Sequence, residues 1–428
     1  MTNIDRRTLL RAAAVVSAGA ATAGLTGCGS GSSGGGGGNG SLSVLTPVFA
    51  TPEGKKVLEG SVTEVYRGKH PKAGVRVDYS TWDVLPEKIS TSLAGGTLAD
   101  VVVVGFGWVP PFAAKNTFAE LPASLRSGPH YLDQVVAPGR YLDKTYALPL
   151  GVDAMVVAYR KDHFEKAGIK RTPRSFQELR AAAKELTRRK SGGGFERVGI
   201  DVTAANLRQQ WVAALDACGG RMFDTDGTKV LFDSDQGAQA LDFLAGFVKD
   251  GSSSLAFRAS QGLPLETLRK GTSSISLTAA SAIGQNAVLP EGRKDLENIG
   301  YFLLEERKPT MFVGGALVTV NKRARDPQAA FDFLGALTAE DESLAVAEPN
   351  GYLPPFADAA VGKAIRNPAA PLIRDSFRYS VSEGGSPAWM EIRETINPAI
   401  EAVLTGKQST RQALTSIRKQ AEDAIGRI

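Results

Sequence analysis

The side chains able to do covalent or metal chemistry are few and poorly spaced for it. His70, His130 and His163 are the only histidines. None stands in an H-E-x-x-H pair or beside a cysteine at metal-ligand spacing, so exposed loop or helix-start positions are expected for them and no metal site. A formal G-x-S-x-G match at Gly31, Ser33 and Gly35 lies in a glycine run that cannot build the strained strand-to-helix turn a nucleophilic serine needs. "GFGW" (105–108) lacks the third glycine of a dinucleotide fingerprint, and its glycines suit a tight turn at a strand end. Carboxylates are plentiful, but spacing alone does not separate a catalytic pair from a solvated acidic face. Neither catalysis nor a cofactor is expected.

Cys28 is the residue whose surroundings do specify a chemistry. Arg6, Arg7 and Arg11 precede an apolar, alanine-rich stretch from Ala12 to Leu25, too short and weak to span a bilayer and of signal-peptide form. "DRRTLLR" resembles a twin-arginine export signal, with Asp5 in place of the usual Ser or Thr, and "LTGC" resembles a lipobox, whose cysteine thiol takes a lipid. Residues 1–27 therefore read as a cleaved signal and residues 28–40 as a lipidated Cys28 followed by a Gly/Ser linker. That linker carries no apolar side chain after Cys28 and as a random coil reaches roughly 19 Å. Loss of the signal takes the net charge from +5 to +3. Without a basic stripe, zinc-finger spacing or RNP aromatics, so mild a charge argues against nucleic acid. With Cys28 taken by the lipid, Cys218 has no partner cysteine and is expected to be a small buried apolar residue.

The remaining chain alternates strand and helix patterns, which implies an α/β class with two lobes. "VRVDY" (75–79) alternates, and "DVVVVG" (100–105) is the continuous branched run of a strand covered on both faces. A helix is expected over 86–93. Ser175 and Glu178 form a capping-box pair before the stripe Phe176, Leu179, Ala183 and Leu186. Ser234 caps a helix stopped at Gly251, Asp326 with Pro327 opens another, and "SISLT" (274–278) and "ALVTV" (316–320) read as short strands.

At the level of whole blocks, "YALPLGVDAMVVAYRKDHFEKAGIKRTPRSFQELRAAAKEL" (146–186) resembles the signature stretch of carbohydrate-type extracellular solute-binding proteins of ABC importers. Arg160 stands where the family has Asn, and Ser175 and Phe176 where it has Thr and Trp. "ACGGRMFD", "LRKGTSSISL", "FVGGALVTVNKRARDPQAAFDFLGALTAEDE" and "NGYLPP" follow in the family's order. The resemblance implies a maltose-binding-protein-like, periplasmic-binding-protein fold. One lobe would comprise residues 41–150 plus 316–348 and the other residues 151–315 plus 349–428, with a ligand cleft between them. It further implies a monomer on the outer face of the cell membrane, a carbohydrate ligand and a membrane permease as partner.

A sugar offers a C–H face and a rim of hydroxyls, so its site needs flat aromatics and fixed polar groups. Under the resemblance Trp108, in a Gly- and Pro-rich strand-end loop, is the expected stacking platform. Trp82 stands at a second strand end beside Asp83, a hydroxyl acceptor or a helix N-cap. Trp211 and Trp389 are placed near the ligand by the family pattern, although their helical spacing also fits core packing. Gly314 and Gly315 fit close backbone approach or a hinge dihedral, and Ser281 and Tyr352 are further hydroxyl candidates. Two alternatives stay open: a binding protein for a glycerophosphodiester or other polyol phosphate, suggested by Arg374 and Arg378, and a secreted carbohydrate-active enzyme.

Overall fold

The computed structural model describes residues 41–126, 131–202, 206–257, 264–356 and 366–428. The signal, Cys28, the linker and His130 lie outside them. The strands that organise the chain are β1 (Ser41–Thr46), β2 (Gly74–Tyr79), β3 (Val101–Gly105), β4 (Ala147–Arg160), β5 (Phe195–Asp201), β6 (Ser273–Ala279), β7 (Ile299–Phe302) and β8 (Pro309–Val320). They belong to one mixed sheet in the order β2-β1-β3-β8-β4-β6-β5, with β7 beside β4. β1 runs parallel to both β2 and β3, and β5 parallel to β6. β4 and β8 are long, antiparallel to each other, and serve both wings of the sheet. β8 pairs with β3 through Ala316–Val320, and β4 pairs with β6 and β7 through residues 155–160.

Valine branching explains the centre of the first wing. Val101 to Val104 are fully buried, and a branched side chain fills both faces of a covered strand. Around the wings run α1 (Leu85–Ala94), α2 (Val109–Ala114), α3 (Phe176–Leu186), α4 (Leu207–Ala217), α5 (Asp235–Lys249), α6 (Ala280–Ala287), α7 (Pro327–Leu337), α8 (Trp389–Leu404) and α9 (Thr410–Ile425). Ser234 accepts from the Gly237 N–H and Asp326 from the Ala329 N–H, as their positions predict. The box expected at α3 closes only halfway. Ser175 caps the Glu178 N–H at 3.1 Å, but the Glu178 carboxylate turns outward to the Arg171 guanidinium and the Arg174 N–H, because a cation outcompetes a neutral amide for it.

Two histidine and cysteine positions are informative. His163 is not exposed: it is 7 % accessible, with Nδ1 2.9 Å from the Ser274 hydroxyl. Burial, assisted by the nearby charge of Arg197, lowers its pKa to about 4. Cys218, the residue that follows α4, is fully buried, and burial pushes its thiol up to about 12, which makes it inert.

Candidate functional site

Where the two wings meet, the carboxyl ends of strands and the first turns of helices surround a cleft of about 720 Å³. One wall carries Trp82, Asp83, Pro86, Phe106 and Trp108, from the turns after β2 and β3. The floor is Asp153 and Met155 of β4 with Phe312, Gly314 and Gly315 of β8. The opposite wall carries Asn206, Arg208 and Gln209 from the start of α4, and Arg393, Glu394 and Asn397 from the start of α8. Glu383 and Tyr352 also line it.

Glycine is needed at two positions in and beside this cleft. Gly315 has φ +142°, and a Cβ there would stand 2.2 Å from the Gly151 carbonyl oxygen of the crossing strand. Gly107 has φ +83°, and its Cβ would meet the Glu383 carbonyl oxygen at 2.6 Å and the Gly384 Cα at 2.9 Å. The two walls therefore touch backbone to backbone at one end of the cleft, an approach closed to any residue with a side chain.

The polar groups are arranged in pairs. Arg208 donates through Nε and Nη2 to both carboxylate oxygens of Glu383, at 2.6 and 3.1 Å, and both side chains are under one-tenth exposed. Asp153 accepts from the Ser281 N–H at 2.9 Å and the Ser281 hydroxyl at 2.7 Å. Ser281 thus acts by fixing a floor carboxylate at the start of α6. Burial raises the Asp153 pKa, and the hydrogen bonds from Ser281, Ala154 and Ala280 offset part of that. Burial, then the Asp153 charge, also raises the pKa of the Tyr352 hydroxyl, and the Trp82 indole partly offsets the rise.

The tryptophans separate into two kinds. Trp82 is partly exposed and lines the cleft. Trp108 lines it as well, yet it is not the open platform its loop position predicts: it is 2 % exposed. Trp82 packs edge-on against it at 6.1 Å, and the Arg393 guanidinium covers its face at 4.9 Å. Trp211 and Trp389 are fully buried and away from the cleft lining. Trp211 packs on Phe232 and donates to the Gly237 carbonyl, and Trp389 packs edge-on to Phe223. Asp83 is exposed at the rim and makes no capping bond to α1. Arg374 pairs with its neighbour Asp375, and Arg378 lies over the Tyr379 ring, both outside the cleft lining.

Arg208, Glu383, Asp153 and Arg393 are among the cleft residues the sequence did not single out. Only Arg393 left a trace: a cation one turn after Trp389, next to the apolar stripe Ile392, Ile396 and Ile400. Among the described residues no cluster of His, Cys, Asp or Glu could hold a metal ion, and no helix is long and apolar enough to cross a membrane.

Two α/β wings that share a pair of crossing strands and enclose a polar, aromatic-lined cleft define a two-lobed ligand-binding protein. Residues 63–371 match the bacterial extracellular solute-binding protein family, and the chain belongs to it. A putative binding protein of Brucella abortus is 24 % identical over 380 residues, spanning 85 % of this chain and 88 % of that protein. The mannitol-binding protein of Pseudomonas aeruginosa is 23 % identical over 410 residues, spanning 84 % and 88 %. The GacH receptor of Streptomyces glaucescens, solved unliganded and with acarbose, has the same fold. Its TM-score is 0.75 at 20 % identity, over 90 % of this chain and 98 % of that one.

Proposed function

We propose that this protein is a lipid-anchored receptor that captures a sugar or oligosaccharide outside the cell and hands it to an ABC permease. The cleft carries the reading. It combines the partly exposed Trp82 ring with Asp83, Asn206, Gln209 and Asn397 along its walls, the pairing of flat apolar surface and fixed hydrogen-bonding groups that a polyol requires. The mannitol-binding relative and the acarbose-binding neighbour support it.

In this reading Trp82 is the stacking surface, Trp108 its support, and Ser281 holds Asp153 in position. Residues 41–150 plus 316–348 and residues 151–315 plus 349–428 are the two lobes. The second stretch starts at Gly151 and the return to the first falls just after Gly315, where the two crossing strands touch. Ligand favours closure only by binding the closed arrangement more tightly than the open one. The lipid on Cys28 and the linker keep the receptor concentrated at its permease. No bond of the ligand is broken.

The test is isothermal calorimetry and thermal shift of residues 41–428 with mono-, di- and oligosaccharides, alditols and glycerophosphodiesters. Saturable binding of one saccharide per chain, recovered unchanged, is the expected result. Binding of none of the saccharides or alditols, or multiple turnover, refutes the reading.

A further inference from the structure

Arg393 is a largely buried cation in the cleft wall whose nearest carboxylate, Glu394, forms only a long ion pair with it. Its side chain is 13 % exposed, and its Nε and Nη1 have no hydrogen-bond partner. Glu394 approaches Nε only to 3.6 Å, beyond a hydrogen bond, and is itself 69 % exposed. Glu383, whose charge also reaches Arg393, is already paired with Arg208, and Asp83 sits on the exposed rim. Water and salt screen Glu394 and Asp83 far more than they screen the buried guanidinium.

The remaining buried charges of the cleft are already engaged. Both oxygens of Glu383 accept from Arg208, and both oxygens of Asp153 accept from Ser281. Arg393 is instead held against the face of Trp108 at 4.9 Å. That contact fixes the guanidinium but fills none of its N–H groups. A guanidinium taken out of water and left short of acceptors carries a desolvation penalty that a ligand-borne acceptor would relieve.

We propose that the ligand is an acidic saccharide, a uronic acid or a glycoside of one, and that Arg393 selects it by binding its carboxylate. This rests on the saccharide reading above. A hydroxyl rim could accept from Arg393 but would leave its charge unbalanced, whereas a carboxylate supplies acceptor and charge together. A phosphate dianion fits less well. Its second charge would need a second free cation, and Arg208 is committed to Glu383.

The experiment is calorimetry on the mature chain with glucuronate and galacturonate against glucose and galactose, and with glucose 6-phosphate, repeated for the uronate-containing disaccharides. A charge-assisted hydrogen bond predicts uronates about ten- to a hundredfold tighter than their neutral counterparts. Arg393→Gln should bring the two classes together while neutral binding persists, and Arg393→Lys should restore part of the preference. The apo melting temperature of Arg393→Gln should not fall below that of the unmodified protein, since a buried charge is replaced by a neutral amide; a purely structural arginine would lower it. Neutral sugars binding as tightly as uronates, the phosphate binding more tightly, or discrimination surviving in Arg393→Gln overturns the proposal and leaves the saccharide reading standing. Binding of no saccharide of either charge overturns both.

Discussion

Truncating Trp108 to alanine separates two accounts of that ring. Its position in a Gly- and Pro-rich loop argues for an exposed platform whose loss spares the fold. The structure argues otherwise: the ring is 2 % exposed, packed edge-on by Trp82, and capped by Arg393. Removing a buried indole leaves a cavity costing ~3–5 kcal/mol, and the loss of the guanidinium's aromatic partner adds to it. With an unfolding entropy of roughly 2.1 cal/mol/K per residue over roughly 390 residues, ~4 kcal/mol lowers the melting temperature by ~5 °C. Differential scanning calorimetry of the apo protein should show that drop for Trp108→Ala and most of it recovered in Trp108→Phe. Trp82→Ala should instead weaken ligand binding about thirtyfold, the worth of an aromatic anchor of ~2 kcal/mol, with the smaller stability loss of a partly exposed ring. An apo Trp108→Ala protein that melts within about 1 °C of the unmodified one would refute the buried-support account, since a cavity of this size always costs more.

Other outcomes follow from the same geometry. His163 has a folded pKa of about 4, below the ordinary 6.5, so the unfolded chain binds the proton first. Its contribution is complete above about pH 6.5 and is lost as the pH falls toward 4, up to ~3 kcal/mol. His163→Gln should therefore flatten the melting temperature between pH 6.5 and 4.5, and an unchanged slope would count against it. Gly107→Ala forces a Cβ to within 2.6 Å of the Glu383 carbonyl; it should weaken ligand binding and enlarge the radius of gyration of the liganded protein in X-ray scattering. Cys28→Ala should release the protein to the medium or leave its signal uncleaved, read by fractionation and N-terminal mass; retention of a processed mutant contradicts lipidation.

The parts of this structure that were legible in the sequence are those set by neighbours in the chain. The Val101–Val104 run became a doubly covered strand, and Ser234 and Asp326 became N-caps whose partners lie three residues on. The i, i+4 and i, i+7 spacing around Trp211 became core. What escaped detection depends on distant segments. Nothing near Asp153 announces Ser281, and nothing near Arg208 announces Glu383, yet each pair meets at hydrogen-bond distance. The burial of Trp108 was invisible for the same reason, since its cover arrives from α8 near the other end of the chain. Glu178 shows that even local rules yield when a cation is in reach.

Under the proposed function, that dependence on distant segments is also how the cleft reports occupancy. Trp108 belongs to the first proposed lobe and Arg393 to the second, and the Gly107 and Gly384 backbones meet alongside them. The contacts that bring the walls together are therefore the same ones that shape the binding surface. A ligand that satisfies Arg393 while resting on the Trp82 and Trp108 wall gains its full interaction only when the two walls are apposed, and this difference in affinity between arrangements is what shifts the population toward closure. A ligand that touched one wall alone would bind open and closed forms equally and would shift nothing, however tightly it bound.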